Sequence, residues 1–157
     1  MGIEFELKST ATSAALNKLA RQIGDRRQVN YQLAVQMSSW VDRNFLAEGR
    51  LNEPWASLAP STAARRVTKS GERRGFEHIL VSIGQGGGLL RASFQRFGYD
   101  NDSATVGSAI TYSQFHEEGG PNLPRRPMLP TKAIALRDAV DVYGLWLHKG
   151  IQGAGLK

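Results

Sequence analysis

Cysteine is absent from the chain, which excludes disulfide staples, thiol nucleophiles and thiolate-bound zinc. The fold must then rest on its own core. Its 157 residues are about one domain's length, enough to bury roughly two-thirds of the unfolded surface. Missing cysteine also fits a reducing compartment such as a bacterial cytoplasm. Histidine is scarce, with only His78, His116 and His148, no two of them at the close helical spacing of a metalloprotease motif. No apolar run approaches the ~20 residues that a bilayer crossing requires. Met1–Ser9 lacks a basic start followed by an apolar stretch, so no signal peptide is expected.

Acidic residues are also the minority: 14 against 20 Lys and Arg, a net charge of +6. That balance favours polyanions or acidic protein surfaces as partners.

Periodicity supplies the elements. Ile3-Glu4-Phe5-Glu6-Leu7 alternates apolar and charged residues and reads as a short half-buried strand. Thr12 or Ser13 can cap a helix carrying Leu16, Leu19, Ala20 and Ile23 on one face, with Gly24 as its stop. A longer helix is predicted from about Arg26 to Glu48, striped by Val29, Leu33, Met37, Trp40, Val41 and Phe45 and ended by Gly49. The two form an αα hairpin whose common face needs a cover.

From Asn52 to Gly88 the composition shifts to Pro54, Pro60 and six glycines, and between Arg65 and Arg74 lie Arg65, Arg66, Lys69, Arg73 and Arg74 against one acid, Glu72. Residues 60–88 are therefore expected to be an exposed, extended loop. Leu90–Phe97 and Thr105–Ile110 read as strands joined by the turn residues Tyr99–Ser103. Thr111–Gln114 has capping-box spacing and opens a short helix closing at Gly119-Gly120. After an extended Pro121–Pro130 run, a last helix from about Thr131 to Lys149 aligns Ala135, Leu136, Ala139, Val140, Tyr143 and Leu147. The prediction is one α+β domain over residues 1–150: an N-terminal αα hairpin on a small, mainly antiparallel sheet, a long basic Gly/Arg loop and a C-terminal helix. Residues 151–157 read as a flexible tail.

Chemistry is sparse. His116-Glu117-Glu118 sets an imidazole beside two carboxylates, but zinc would need further ligands and none is near in sequence. Gly84-Gln85-Gly86-Gly87-Gly88 has Leu89 where a dinucleotide fingerprint needs its third glycine, so it reads as a linker. No catalytic constellation assembles, and no cofactor or metal is expected. The Arg65–Arg74 stretch can neutralise phosphates, but no aromatic interleaves with it for base stacking. Trp40, Trp55 and Trp146 are expected to be at least partly buried. Trp55, in a loop between Pro54 and Pro60, either pins that loop to the core or anchors a partner.

Four ordered elements bear a resemblance. Trp55-Ala-Ser-Leu58-Ala-Pro60-Ser61-Thr62 resembles the tryptophan-leucine-proline-serine-threonine element of the phage virion morphogenesis, or tail-completion, family of Mu-like phages. Ile79-Leu80, Gly84 and Leu90-Arg91-Ala92-Ser93 resemble its second element; Thr105-Val106-Gly107-Ser108 with Tyr112, His116 and Gly119 its third; Pro124-Arg125-Arg126-Pro127-Met128-Leu129 its last. The chain departs from the pattern in the intervening Gln85–Leu89, in Arg125 for a small residue and in Met128 for phenylalanine.

The resemblance implies a structural, non-enzymatic subunit of a tailed phage. Such a subunit is made in the host cytoplasm and carried in the virion at the head–tail junction, in a homo-oligomeric ring, with six-fold symmetry to match a tail tube. A tail terminator is the near alternative and a basic nucleic-acid-binding module the more distant one. Interface residues are then Trp55, Arg65, Arg66, Lys69, Arg73, Arg74, Arg125 and Arg126, with Arg65, Arg66, Arg73 and Arg74 facing DNA in the channel. Partners are other copies, further neck and tail proteins, and non-specifically the DNA.

Overall fold

The computed structural model describes residues 10–50, 53–65, 79–80 and 89–156. The expected strand at Ile3–Leu7 and most of the 60–88 loop lie outside them; in the described part of that loop Pro60–Arg65 is helical and Ile79 is buried, not exposed. The described elements are α1 (Thr10–Gly24), α2 (Arg27–Ala47), β1 (Gly49–Arg50), β2 (Glu53–Pro54), α3 (Pro60–Arg65), α4 (Leu89–Ser93), β3 (Phe94–Tyr99), β4 (Ala104–Ser108), α5 (Ser113–Glu118) and α6 (Lys132–Gly153). The α+β class is as predicted: helices beside two small antiparallel two-stranded sheets, β1–β2 and β3–β4.

Helix α2 is the spine. It packs on the β3–β4 hairpin and on α6. Its buried residues Asn30, Ala34, Val41 and Asn44 recur at helical spacing, with Val29 and Phe45 beside them. Leu33, Met37 and Trp40 of the predicted stripe are only half-buried. Two asparagines in the buried face are tolerable because each is bonded. Asn30 Nδ2 donates to the Asp100 carbonyl at 2.7 Å and its Oδ1 accepts from Tyr143 Oη at 2.5 Å. Asn44 Nδ2 donates to the Met128 carbonyl at 2.8 Å. Asn30 thus ties the hairpin turn and α6 to the same turn of α2.

The hairpin turn closes on itself through Asp100, whose Oδ1 accepts from the backbone N–H groups of Asp102 and Ser103 at 2.8 and 2.7 Å. Those two bonds hold the Asp100 carboxyl below its ordinary pKa. Asn101 Oδ1 in turn accepts from Arg26 N at 3.0 Å, supplying α2 with a cap from a distant turn.

Four local expectations are corrected. Gly49 does not end α2: Glu48 takes the left-handed turn (φ 50, ψ 45) and its N–H bonds the Asn44 carbonyl. Leu89–Ser93 is a helical turn and the strand begins only at Phe94. Thr111–Gln114 forms no capping box, since α5 starts at Ser113 and its cap position, Tyr112, makes no side-chain cap bond. On α6, Leu136 and Val140 (63% exposed each) and Leu147 (40% exposed) face outward. The packed face carries Asp138 and Gly150. This helix also runs on to Gly153, farther than the expected frayed end, and is capped at its start by Thr131 Oγ1, which accepts from Ile134 N at 3.3 Å.

Helix α1 has no buried residue and packs on α6. Gly150 allows the approach: a Cβ there would meet the Gln22 side-chain amide at 2.6 Å.

Candidate assembly interface and the clasp behind it

Two segments far apart in sequence close on each other at the end of α2. Trp55 is 5% exposed and packs edge-on to Phe45 at 5.3 Å between ring centroids. Its Nε1 donates to the Pro127 carbonyl at 2.8 Å. Around it lie Val41, Phe45, Ile79, Leu90 and Met128, the described core. Of the two roles open to Trp55 in the sequence, the structure places it in the core as the pin of its loop.

Arg126, expected at a partner surface, is also buried (5% exposed). Its guanidinium donates to the Ala56 carbonyl from Nε and Nη2 at 3.2 and 3.1 Å. Its own N–H donates to the His116 carbonyl at 2.7 Å. A planar fork aimed at backbone carbonyls explains why arginine is suited to this position.

Arg125 is half-exposed and bridges to Glu53 at 2.7 Å, while Arg50 reaches the other Glu53 oxygen at 2.7 Å. Arg50 also donates to the Leu129 carbonyl at 3.2 Å. Glu53 therefore sits between two guanidinium groups, one from each side of the clasp. Arg65 ends α3; its side chain, with Arg66, Lys69, Arg73 and Arg74, lies outside the described residues.

The His116-Glu117-Glu118 cluster serves the fold. Glu117 Oε2 accepts from the Met128 and Leu129 N–H groups at 2.6 and 3.2 Å. His116 Nδ1 is buried without a hydrogen-bond partner. Burial first, and the Arg126 charge second, hold the imidazole below its ordinary pKa, so it favours the neutral form. His116 and Arg126 line a cavity of about 560 Å³ together with Leu58, Leu80 and Leu90. Among the described residues no three His, Asp or Glu side chains are grouped to hold a metal ion, and no helix is long and apolar enough to cross a membrane.

Sequence reasoning missed Arg126, Asp138 and Glu48, whose Oε1 accepts from Ile79 N at 2.7 Å, as structural polar groups. Asp138 is 5% exposed on the buried face of α6 and accepts from Trp40 Nε1 at 2.5 Å. The available signal was in α2: Asn30 and Asn44 share the helical spacing of Ala34 and Val41, and a polar residue in such a register asks for a buried partner.

Outside the clasp some large apolar side chains remain exposed. Leu136, Val140 and Leu147 form an outward ridge on α6, and Phe115 is 58% exposed on α5. A contiguous exposed apolar ridge of this kind is a candidate interaction surface. The model of the phage virion morphogenesis family matches residues 7–143, most of the chain, and the chain belongs to that family. It is a bacteriophage structural protein of virion morphogenesis. No curated protein and no solved structure matches it.

Proposed function

We propose that the chain is a tail-completion or neck subunit that assembles into a closed ring, six-fold to match a tail tube, at the head–tail junction. It acts by packing and not by catalysis. The observation that carries this reading is the exposed α6 ridge of Leu136, Val140 and Leu147 on a body already clasped by Trp55 and Arg126. A surface of that kind gains from burial against a neighbour, at roughly 25 cal/mol per Å² of apolar area. The non-catalytic half is supported by the fate of the one histidine–carboxylate cluster, whose Glu117 is bound to backbone amides.

In this ring Arg65, Arg66, Arg73 and Arg74 are assigned to the DNA channel, and Lys69 and Arg125 to neighbouring subunits. Electron microscopy of the purified virion tests the reading by locating the chain along the axis and counting its copies. A ring of copies between head and tail is expected; a position in the capsid shell, or absence from the particle, would overturn it.

A further inference from the structure

The second half of α1, the start of α2 and the last turns of α6 enclose a groove of about 660 Å³. Its floor is apolar: Val142, Trp146 and Leu145, the last 64% exposed. Arg21 and Lys149 line it from α1 and α6, and neither is ion-paired among the described residues. The one acid lining it, Asp25, is held by Arg27 at 3.3 Å. With Asp25 already paired to Arg27, Arg21 and Lys149 leave the groove with excess positive charge.

Gln28 and Gln32 add side-chain amides, which both donate and accept. Mixed donors and acceptors suit a peptide backbone, whereas phosphate needs donors only. The Trp146 ring is engaged edge-on by Tyr143 at 5.9 Å, which further favours a peptide over stacked bases. The occupant that fits is an extended segment alternating carboxylates with apolar side chains.

The chain contains such a segment in Ile3-Glu4-Phe5-Glu6-Leu7. We propose that the groove receives Ile3–Leu7 of a second copy, with Glu4 and Glu6 meeting Arg21 and Lys149 and the apolar residues covering Leu145. The inference rests on the reading of the chain as a self-assembling subunit, and it joins two different surfaces of the chain, a contact that can close into a ring when it is not exchanged reciprocally. Thr10 and Arg21 are separated by roughly 16 Å of helix at 1.5 Å per residue. The segment is thus tethered at the end of α1 opposite to Arg21.

The test is sedimentation of the full chain over a concentration series, with far-ultraviolet circular dichroism to verify folding. Wild type is expected to self-associate. Arg21→Glu/Lys149→Glu (groove reversed) and Glu4→Lys/Glu6→Lys (segment reversed) should each weaken association by roughly tenfold or more, since like charges then face each other. An equimolar mixture of the two variants should recover it, because each reversed partner meets its complement. Wild type that remains monomeric, variants that associate like wild type, or a mixture that stays dissociated would each overturn the proposal. A chain found at the neck yet monomeric in solution would sink this contact alone. A chain found elsewhere in the particle, with the charge swap working, would sink only the placement.

Discussion

Trp55 and Pro127 are joined by a 2.8 Å hydrogen bond from indole Nε1 to the carbonyl oxygen, across 72 positions of sequence. The bond fixes the ring edge-on to Phe45, so one side chain supplies both packing and register to the clasp.

Trp55→Ala should therefore cost about 3–5 kcal/mol of folding stability, the range for deleting a buried aromatic. Trp55→Phe keeps most of the packing but leaves the Pro127 carbonyl unpaired, for a loss of about 1–3 kcal/mol. Urea titration of the three proteins measures both. An alanine variant with an unchanged midpoint would place the ring outside the core.

Gly49 and Gly24 should respond oppositely to alanine. A Cβ at Gly49 would stand 2.6 Å from the Pro54 Cα and 2.7 Å from the Glu53 oxygen. Backbone cannot swing aside, so Gly49→Ala should cost about 1–3 kcal/mol as overpacking. At Gly24 nothing lies within 4 Å, and alanine there should be neutral or gain up to about 1 kcal/mol. Thermal melts of the two variants give the contrast directly; equal effects would contradict the close β1–β2 approach.

His116 should make the protein lose stability on mild acidification. Its folded pKa is held below the ordinary 6.5, so as pH falls through that value the unfolded chain takes up a proton that the folded one resists. The penalty grows until pH reaches the folded value and then levels off. His116→Phe, which retains a ring without the unpartnered Nδ1, should flatten the stability profile just below pH 6.5. A profile identical to wild type would show that the imidazole protonates freely in the fold.

Asp138 acts lower on the pH scale. Burial alone would raise its carboxyl, but hydrogen bonds from Trp40, Arg137 and Gln36, with the Arg137 charge, outweigh that and hold it below 3.8. Its contribution is complete above the unfolded value and is lost as pH falls from there through the folded one. Asp138→Asn should reduce the acid sensitivity of unfolding in that window. Chemical denaturation at pH 5 and pH 3 is the measurement, and an unaltered difference between the two would count against the assignment.

The helices were legible because apolar spacing and flanking glycine, asparagine and threonine mark them locally. The last helix begins, as expected, at about Thr131, which caps it, and Asp100 organises the hairpin turn. The errors share a cause. Leu90 and its neighbours carry strand-like apolar residues, yet the Ser93 hydroxyl bonds the Leu90 carbonyl at 2.6 Å within a helical turn. Which face of α6 is buried depends on Asp138 meeting Trp40 from another helix, a match that no single-helix pattern contains. Arg126 looked like a surface cation because its acceptors, the Ala56 and Ser57 carbonyls, are backbone groups some 70 positions away. Family membership was more legible than any of these, since it rested on several short elements in order.

The clasp also bears on how the middle of the chain can change length. Trp55, Arg126 and Glu53 bind residues 53–57 to residues 125–127, so the chain between Ser57 and Arg125 is a long excursion closed at both ends by the clasp. Loop closure depends only logarithmically on length, and doubling a flexible loop costs about 0.6 kcal/mol. Residues can be added to that stretch, as Gln85–Leu89 are relative to the family pattern, for less free energy than one clasp hydrogen bond is worth. The body of the subunit and the reach of its central segment are thermodynamically separable.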